Sequence, residues 1–205
     1  METADVHSGL NATAAVAVRK RPRPGERRAQ ILQCLAGMLE EGGAERITTA
    51  ALAQRLQVSE AALYRHFASK AQMFDALIDF IEQSMFGLIN QITAQYPQGF
   101  DQALGTTRAL LAFAARNPGL CRMLVGDALV GEHARLQQRV QQFLERVEAA
   151  LRQSLRLARE QSGESDLDPA LRAQWLMSHA AGCLQRMARG QPVADAERAM
   201  RRLLA

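Results

Sequence analysis

Apolar residues recur at three- and four-residue spacing along most of this chain, the period of a single helix face. The first run, Ile31, Leu32, Leu35 and Leu39, predicts a helix from about Pro24–Glu26 to Glu41, stopped by Gly42-Gly43. Two short helices follow between Arg46 and Lys70. A long one is expected from Lys70 to about Gln95 on Met73, Phe74, Leu77, Ile78, Ile81, Met85, Leu88, Ile89 and Ile92, broken by Tyr96-Pro97-Gln98-Gly99. Another spans about Asp101 to Arg116, and Asn117-Pro118-Gly119 ends it and starts a shorter one through Leu124. The pattern then predicts helices from about Leu129 to Gln161, from about Pro169 to Arg189, and a last short one from Ala194 to Leu204. β-branched runs are almost absent, and Ala, Leu, Gln and Arg dominate, so the expected class is all-α.

The segment RITTAALAQRLQVSEAALYRHFASK, from Arg46 to Lys70, carries the most specific pattern. Leu52, Ala53 and Leu56 form the inner face of its first helix, and Leu63 with Phe67 that of its second. Val58 sits in the tight turn between them. Ser59 is a favourable N-cap for the second helix, with Glu60 in the first turn where the helix dipole welcomes a negative charge. Thr48 and Thr49 offer the same service to the first. Ala53 is small where two steeply crossed helices must touch. This is the layout of a helix-turn-helix, which places its second helix in the major groove of DNA. Such turns often use Gly to reach a left-handed conformation, and the position expected to adopt it here is Gln57.

Charge reinforces that reading. Between Arg19 and Lys70 stand ten Lys or Arg against five Asp or Glu, whereas the rest of the chain is nearly balanced around an overall net charge of +4. A positive field concentrated on one unit is what phosphate neutralisation requires. The chain therefore divides into a disordered basic arm at 1–23, a helix-turn-helix unit at 24–69, and a helical body at 70–205. The arm reads either as a solubilising tail or as a contact to phosphates or a minor groove.

Leu52, Ala53, Leu63, Tyr64, His66, Phe67 and Lys70 together resemble the DNA-binding end of TetR-type transcription regulators. The similarity continues through SEAALYRHF, SKAQMFDALIDFIEQS, ARNPGL and RLQQRVQQFLERVEAALRQ, covering roughly residues 26 to 189. In these segments it resembles the nucleoid occlusion branch of that family. The resemblance implies a DNA-binding homodimer associated with the nucleoid. It also implies a second partner, the tubulin-like division protein FtsZ, engaged through its C-terminal tail to antagonise ring assembly over the nucleoid.

For double-stranded DNA the expected contacts are Arg46, Thr48, Thr49, Ser59, Tyr64, Arg65, His66 and Lys70. His66, and less readily Tyr64, also reads as a scaffold group packed beneath the fourth helix. Ala61 and Ala62 offer little to hydrogen-bond, leaving specificity to thymine methyls and DNA shape. A dimer that reads half-sites needs an interface. The expected one lies on the long late helices, at Phe143, Val147, Leu151 and Leu155 and at Trp175, His179 and Gly182. The same stripe also reads as the core of one subunit. By the resemblance, Phe80, Arg116 and Asn117 fall in the FtsZ-binding region. Core filling and a helix-dipole charge are the alternatives for Phe80 and Arg116.

No enzyme and no cofactor is expected. His7, His66, His133 and His179 lack partners for nucleophilic or metal chemistry, and there is no phosphate-cradling glycine loop. Cys34, Cys121 and Cys183 are far apart and read as reduced core residues of a cytoplasmic protein. No apolar run is long enough for a membrane. The competing function is a ligand-responsive TetR-type repressor with Trp175, Met123, Met177 and Phe113 lining a pocket. A scaffold without DNA binding is disfavoured by the charge asymmetry.

Overall fold

The computed structural model describes residues 25–41, 47–129, 132, 134–163, 168–193, 198–199 and 202. Among these residues the protein is helical throughout, with no strand. The helices are α1 (Glu26–Glu41), α2 (Thr49–Arg55), α3 (Glu60–Tyr64), α4 (Lys70–Gln95), α5 (Gly99–Arg116), α6 (Pro118–Leu124), α7 (Ala134–Ser162) and α8 (Pro169–Ala188). The arm at 1–23 lies outside the described residues, as does nearly all of the helix expected from Ala194.

Side-chain caps set several of the helix starts. The Thr48 hydroxyl accepts from the Ala51 amide at 3.1 Å, Ser59 from Ala62 at 3.3 Å and Ser69 from Gln72 at 3.2 Å. Asp168 accepts from Ala170 and Leu171 ahead of α8, where Pro169 occupies the first helical position. Each cap satisfies amides that the first helical turn leaves without partners. The long α7 starts at Ala134, not near Leu129 as the periodicity suggested. A 3-10 turn over Asp127–Leu129 precedes it, opened by Gly126 at φ +86°. Apolar spacing continues through that turn, so the period alone does not reveal the break.

α5 is the central helix, packed against α4, α7 and α8. It starts at Gly99, where a Cβ would lie 2.3 Å from the Ser154 carbonyl and from the Ala158 amide nitrogen of α7. The two backbones therefore cross in direct contact. Phe143, Val147, Leu151 and Leu155 of α7 are at most 1% exposed within a single chain. Assignment of these four to a dimer surface is thus corrected: they fill one subunit's core, facing the helices α7 packs against.

α6 ties α1 to the body. A Cβ on Gly119 would lie 2.2 Å from the Ala36 carbonyl oxygen and 2.9 Å from the Glu40 nitrogen. The Arg122 guanidinium donates to the Leu39 carbonyl at 2.9 Å, satisfying an acceptor near the C-terminal end of α1. The buried residues from Ile31 of α1 to Leu184 of α8 accordingly form one contiguous apolar cluster. Arg135, Arg139 and Arg146 of α7 further pair with Asp75, Asp79 and Glu82 along α4. Gly119→Ala should lower stability by about 1–3 kcal/mol, because backbone rather than a flexible side chain must yield. A urea midpoint unchanged from the parent would contradict this packing.

Candidate functional site

α2 and α3 form the helix-turn-helix with Leu52, Ala53, Leu63 and Phe67 buried beneath it. In the turn, the Val58 amide donates to the Ala53 carbonyl at 3.0 Å. Gln57 takes φ +54° and is the one non-glycine residue with positive φ among those described. The position expected from the motif thus adopts the left-handed conformation without glycine. Arg28 of α1, not foreseen from the sequence, clamps the far end of the unit. Its guanidinium stacks 4.1 Å from the Phe67 ring centroid and donates to the His66 carbonyl at 2.8 Å. A cation–π partner so far along the chain leaves no local pattern to read.

Tyr64, Arg65 and His66 are exposed, Tyr64 at 47%, so neither ring is packed beneath α4. The Thr49 hydroxyl, on α2, donates to the Glu60 carboxylate of α3 at 2.6 Å and stands 3.5 Å from the Tyr64 hydroxyl. Thr48 and Ser59 use their hydroxyl oxygens as caps. Ala61 is exposed beside Glu60, and Ala62 is half-buried. Arg46 lies outside the described residues. Lys70 requires a correction: its ammonium is half-buried and paired with Glu132, whose side chain is only 7% exposed. It joins α4 to the segment before α7 and does not present a free charge at the reading surface.

A second exposed feature lies on the body. Phe80 is 50% exposed, although its neighbour Ile81 is buried. Its ring sits 6.4 Å from that of Phe113, centroid to centroid, at the α4–α5 junction. Arg116 and Asn117 follow Phe113 by one helical turn. Arg116 is exposed, whereas the Asn117 amide donates to the Phe113 carbonyl at 2.7 Å and helps close α5.

On α8, Leu171 and Trp175 are 42% and 46% exposed, and Gly182 opens onto free space on the same stripe. His179 is half-buried, with its Nε2 3.6 Å from the Cys183 sulfur. Trp175 faces outward while Met123 is wholly buried, so the residues considered for a ligand cavity do not line a common wall. Burial, with Asp127 adding to it, pushes the Cys121 thiol up to about 11, and burial also raises Cys34 and Cys183. All three are free thiols, and the direction of these shifts keeps them protonated near neutrality.

The fold and its helix-turn-helix define a TetR-type DNA-binding regulator. Residues 31–77 match the bacterial regulatory proteins of the tetR family, and residues 100–198 match the SlmA-like, tetracyclin repressor-like C-terminal domain. The chain is 47% identical to the nucleoid occlusion factor SlmA of Shewanella woodyi over 80% of its own length and 84% of that protein's. It is 48% identical to SlmA of Vibrio cholerae over the same shares, 80% and 84%. The chain belongs to the SlmA family of nucleoid occlusion factors, which are DNA-binding regulators and not enzymes. In fold it is similar to PfmR of Thermus thermophilus, with TM-score 0.68, 21% identity, and coverage of 85% of this chain and 94% of that one. The ketosteroid regulator KstR2 of Mycobacterium tuberculosis gives TM-score 0.66 at 21% identity, covering 87% and 91%.

Gln57→Val should cost at least about 1 kcal/mol, since a β-branched side chain resists the left-handed region. Gln57→Gly should cost less, because glycine adopts that region freely. Thermal melts of the two variants check the order, and equal losses would contradict the turn geometry.

Proposed function

We propose that this chain binds chromosomal DNA as a homodimer and, from there, holds the C-terminal tail of FtsZ to inhibit division-ring assembly over the nucleoid. In this reading Thr49, Tyr64, Arg65 and His66 face the DNA, with Thr48 and Ser59 ordering the helices behind them. The α8 stripe of Leu171, Trp175 and Gly182 supplies the dimer contact, with His179 at its edge. An exposed Trp and Leu beside a glycine with open space allow two helices to approach closely.

The observation that carries the partner reading is the half-exposed Phe80. An apolar ring left at the surface next to Phe113, with Arg116 one turn away, offers an anchor for an apolar side chain and a cation for an acidic group. Asn117 contributes by holding the end of α5. Aromatic and Arg residues are the side chains most often dominant in such contacts.

Fluorescence anisotropy of an FtsZ C-terminal peptide, with the protein held on its DNA site, tests the proposal. Phe80→Ala and Arg116→Ala should each weaken peptide binding about tenfold or more and leave DNA affinity unchanged. Undiminished peptide binding in both variants would overturn the site. Absence of peptide binding by the parent protein would overturn the FtsZ reading itself.

A further inference from the structure

We propose that Glu60 is a specificity-determining residue that reads a cytosine in each half-site, and that the Thr49 hydroxyl is the group that positions it. The proposal rests on the DNA-binding reading of α2 and α3. A carboxylate on a surface meant for phosphates is unfavourable unless it meets a donor there, and Glu60 is exposed on the first turn of the helix assigned to the major groove. Its Oε2 accepts from Thr49 at 2.6 Å, across from the neighbouring helix. That bond fixes the carboxylate without exhausting it, since an ionised carboxylate has about four acceptor positions.

The neighbouring hydroxyls are turned elsewhere, Ser59 to the backbone and Tyr64 toward Thr49. The Ser59 oxygen caps α3, accepting from Ala62. Ala61 and Ala62 have only methyl groups to offer. Glu60 is thus the charged acceptor on this turn, with lone pairs left after the Thr49 bond.

Chemistry selects the base. An acceptor-only group needs a donor at the base edge, which in the major groove means the amino group of cytosine or of adenine. The adenine amino group lies beside the N7 acceptor, which repels a carboxylate. Cytosine presents its amino group with no acceptor on the same edge. Guanine O6 and N7 and thymine O4 are all acceptors and are rejected. Thr49 acts through Glu60, so it is a positioning residue.

Selection from a randomised duplex library, read by sequencing, tests this with the full chain and with Glu60→Gln, Glu60→Asp, Thr49→Val and Thr49→Ser. The parent should enrich cytosine about tenfold or more at one position per half-site. Glu60→Gln should lose that preference in favour of adenine and bind random DNA more tightly at low salt, having lost a negative charge. Glu60→Asp keeps the charge but not the reach and should lose the preference as well. Thr49→Val should weaken it, and Thr49→Ser should restore it, which a purely structural tie between helices would not do. Identical base preferences in the parent and both Glu60 variants would overturn the proposal. Salt-sensitive binding by the parent with no cytosine enrichment would overturn it too while leaving the DNA reading intact. No DNA binding by the parent would remove both.

Discussion

The rest of the molecule depends on the contact of α6 with α1 at Gly119. No side chain separates the two helices there: a Cβ would fall 2.2 Å from the Ala36 carbonyl oxygen. Arg122 then closes the end of α1 by donating to the Leu39 carbonyl. Because of this approach, α1 is a shared wall. One side supports Leu52, Leu63 and Phe67 under the reading helices, and the other continues into the body's core. Arg116 and Asn117 stand shortly before Gly119, one helical turn beyond Phe113, whose ring lies beside the exposed Phe80. One short segment therefore grips the DNA-reading unit and borders the proposed partner site.

Polar groups reinforce this arrangement in two ways. Thr48, Ser59 and Ser69 serve as caps and fix where α2, α3 and α4 begin. Lys70 and Glu132 form a half-buried pair that links the first residue of α4 to the segment ahead of α7. The arginines of α7 pair with acids along α4, but several of these side chains are well exposed, and exposed pairs contribute only about 0–1 kcal/mol each. Register is the better description of what they provide. Arg139 touches Asp75, Asp79 and Glu82 together and leaves α4 little freedom to slide.

Much of this was legible in the sequence, and the limits have physical reasons. The caps at Thr48 and Ser59, the break after Gln95 and the left-handed turn at Gln57 are local properties, encoded within a few residues, and the structure places them where the pattern did; the break ahead of α7 was hidden by apolar spacing that runs through it. The α7 stripe illustrates the opposite case. A period of three to four marks a face as buried but does not say whether the burying surface belongs to the same chain. Phe143, Val147, Leu151 and Leu155 meet their own subunit, while on α8 the unsatisfied apolar face is that of Leu171 and Trp175. Lys70 reads as a free cation until Glu132 is brought beside it, and the clamp of Arg28 on Phe67 likewise exists only in three dimensions. Thr49 and Glu60 each look like ordinary helix-start residues; their bond appears once α2 and α3 are packed.

The reading unit and the helical body share one core and should unfold as one cooperative structure. Trp175, the single Trp in the chain, reports on the body, and amide hydrogen exchange at Ile31, Leu35 and Leu63 reports on the reading unit. Urea titration at fixed protein concentration, followed by both probes, tests this cooperativity directly. A shared core gives one transition with coincident midpoints. Loss of protection in α1 and α3 at a urea concentration where Trp175 emission is still native would contradict it.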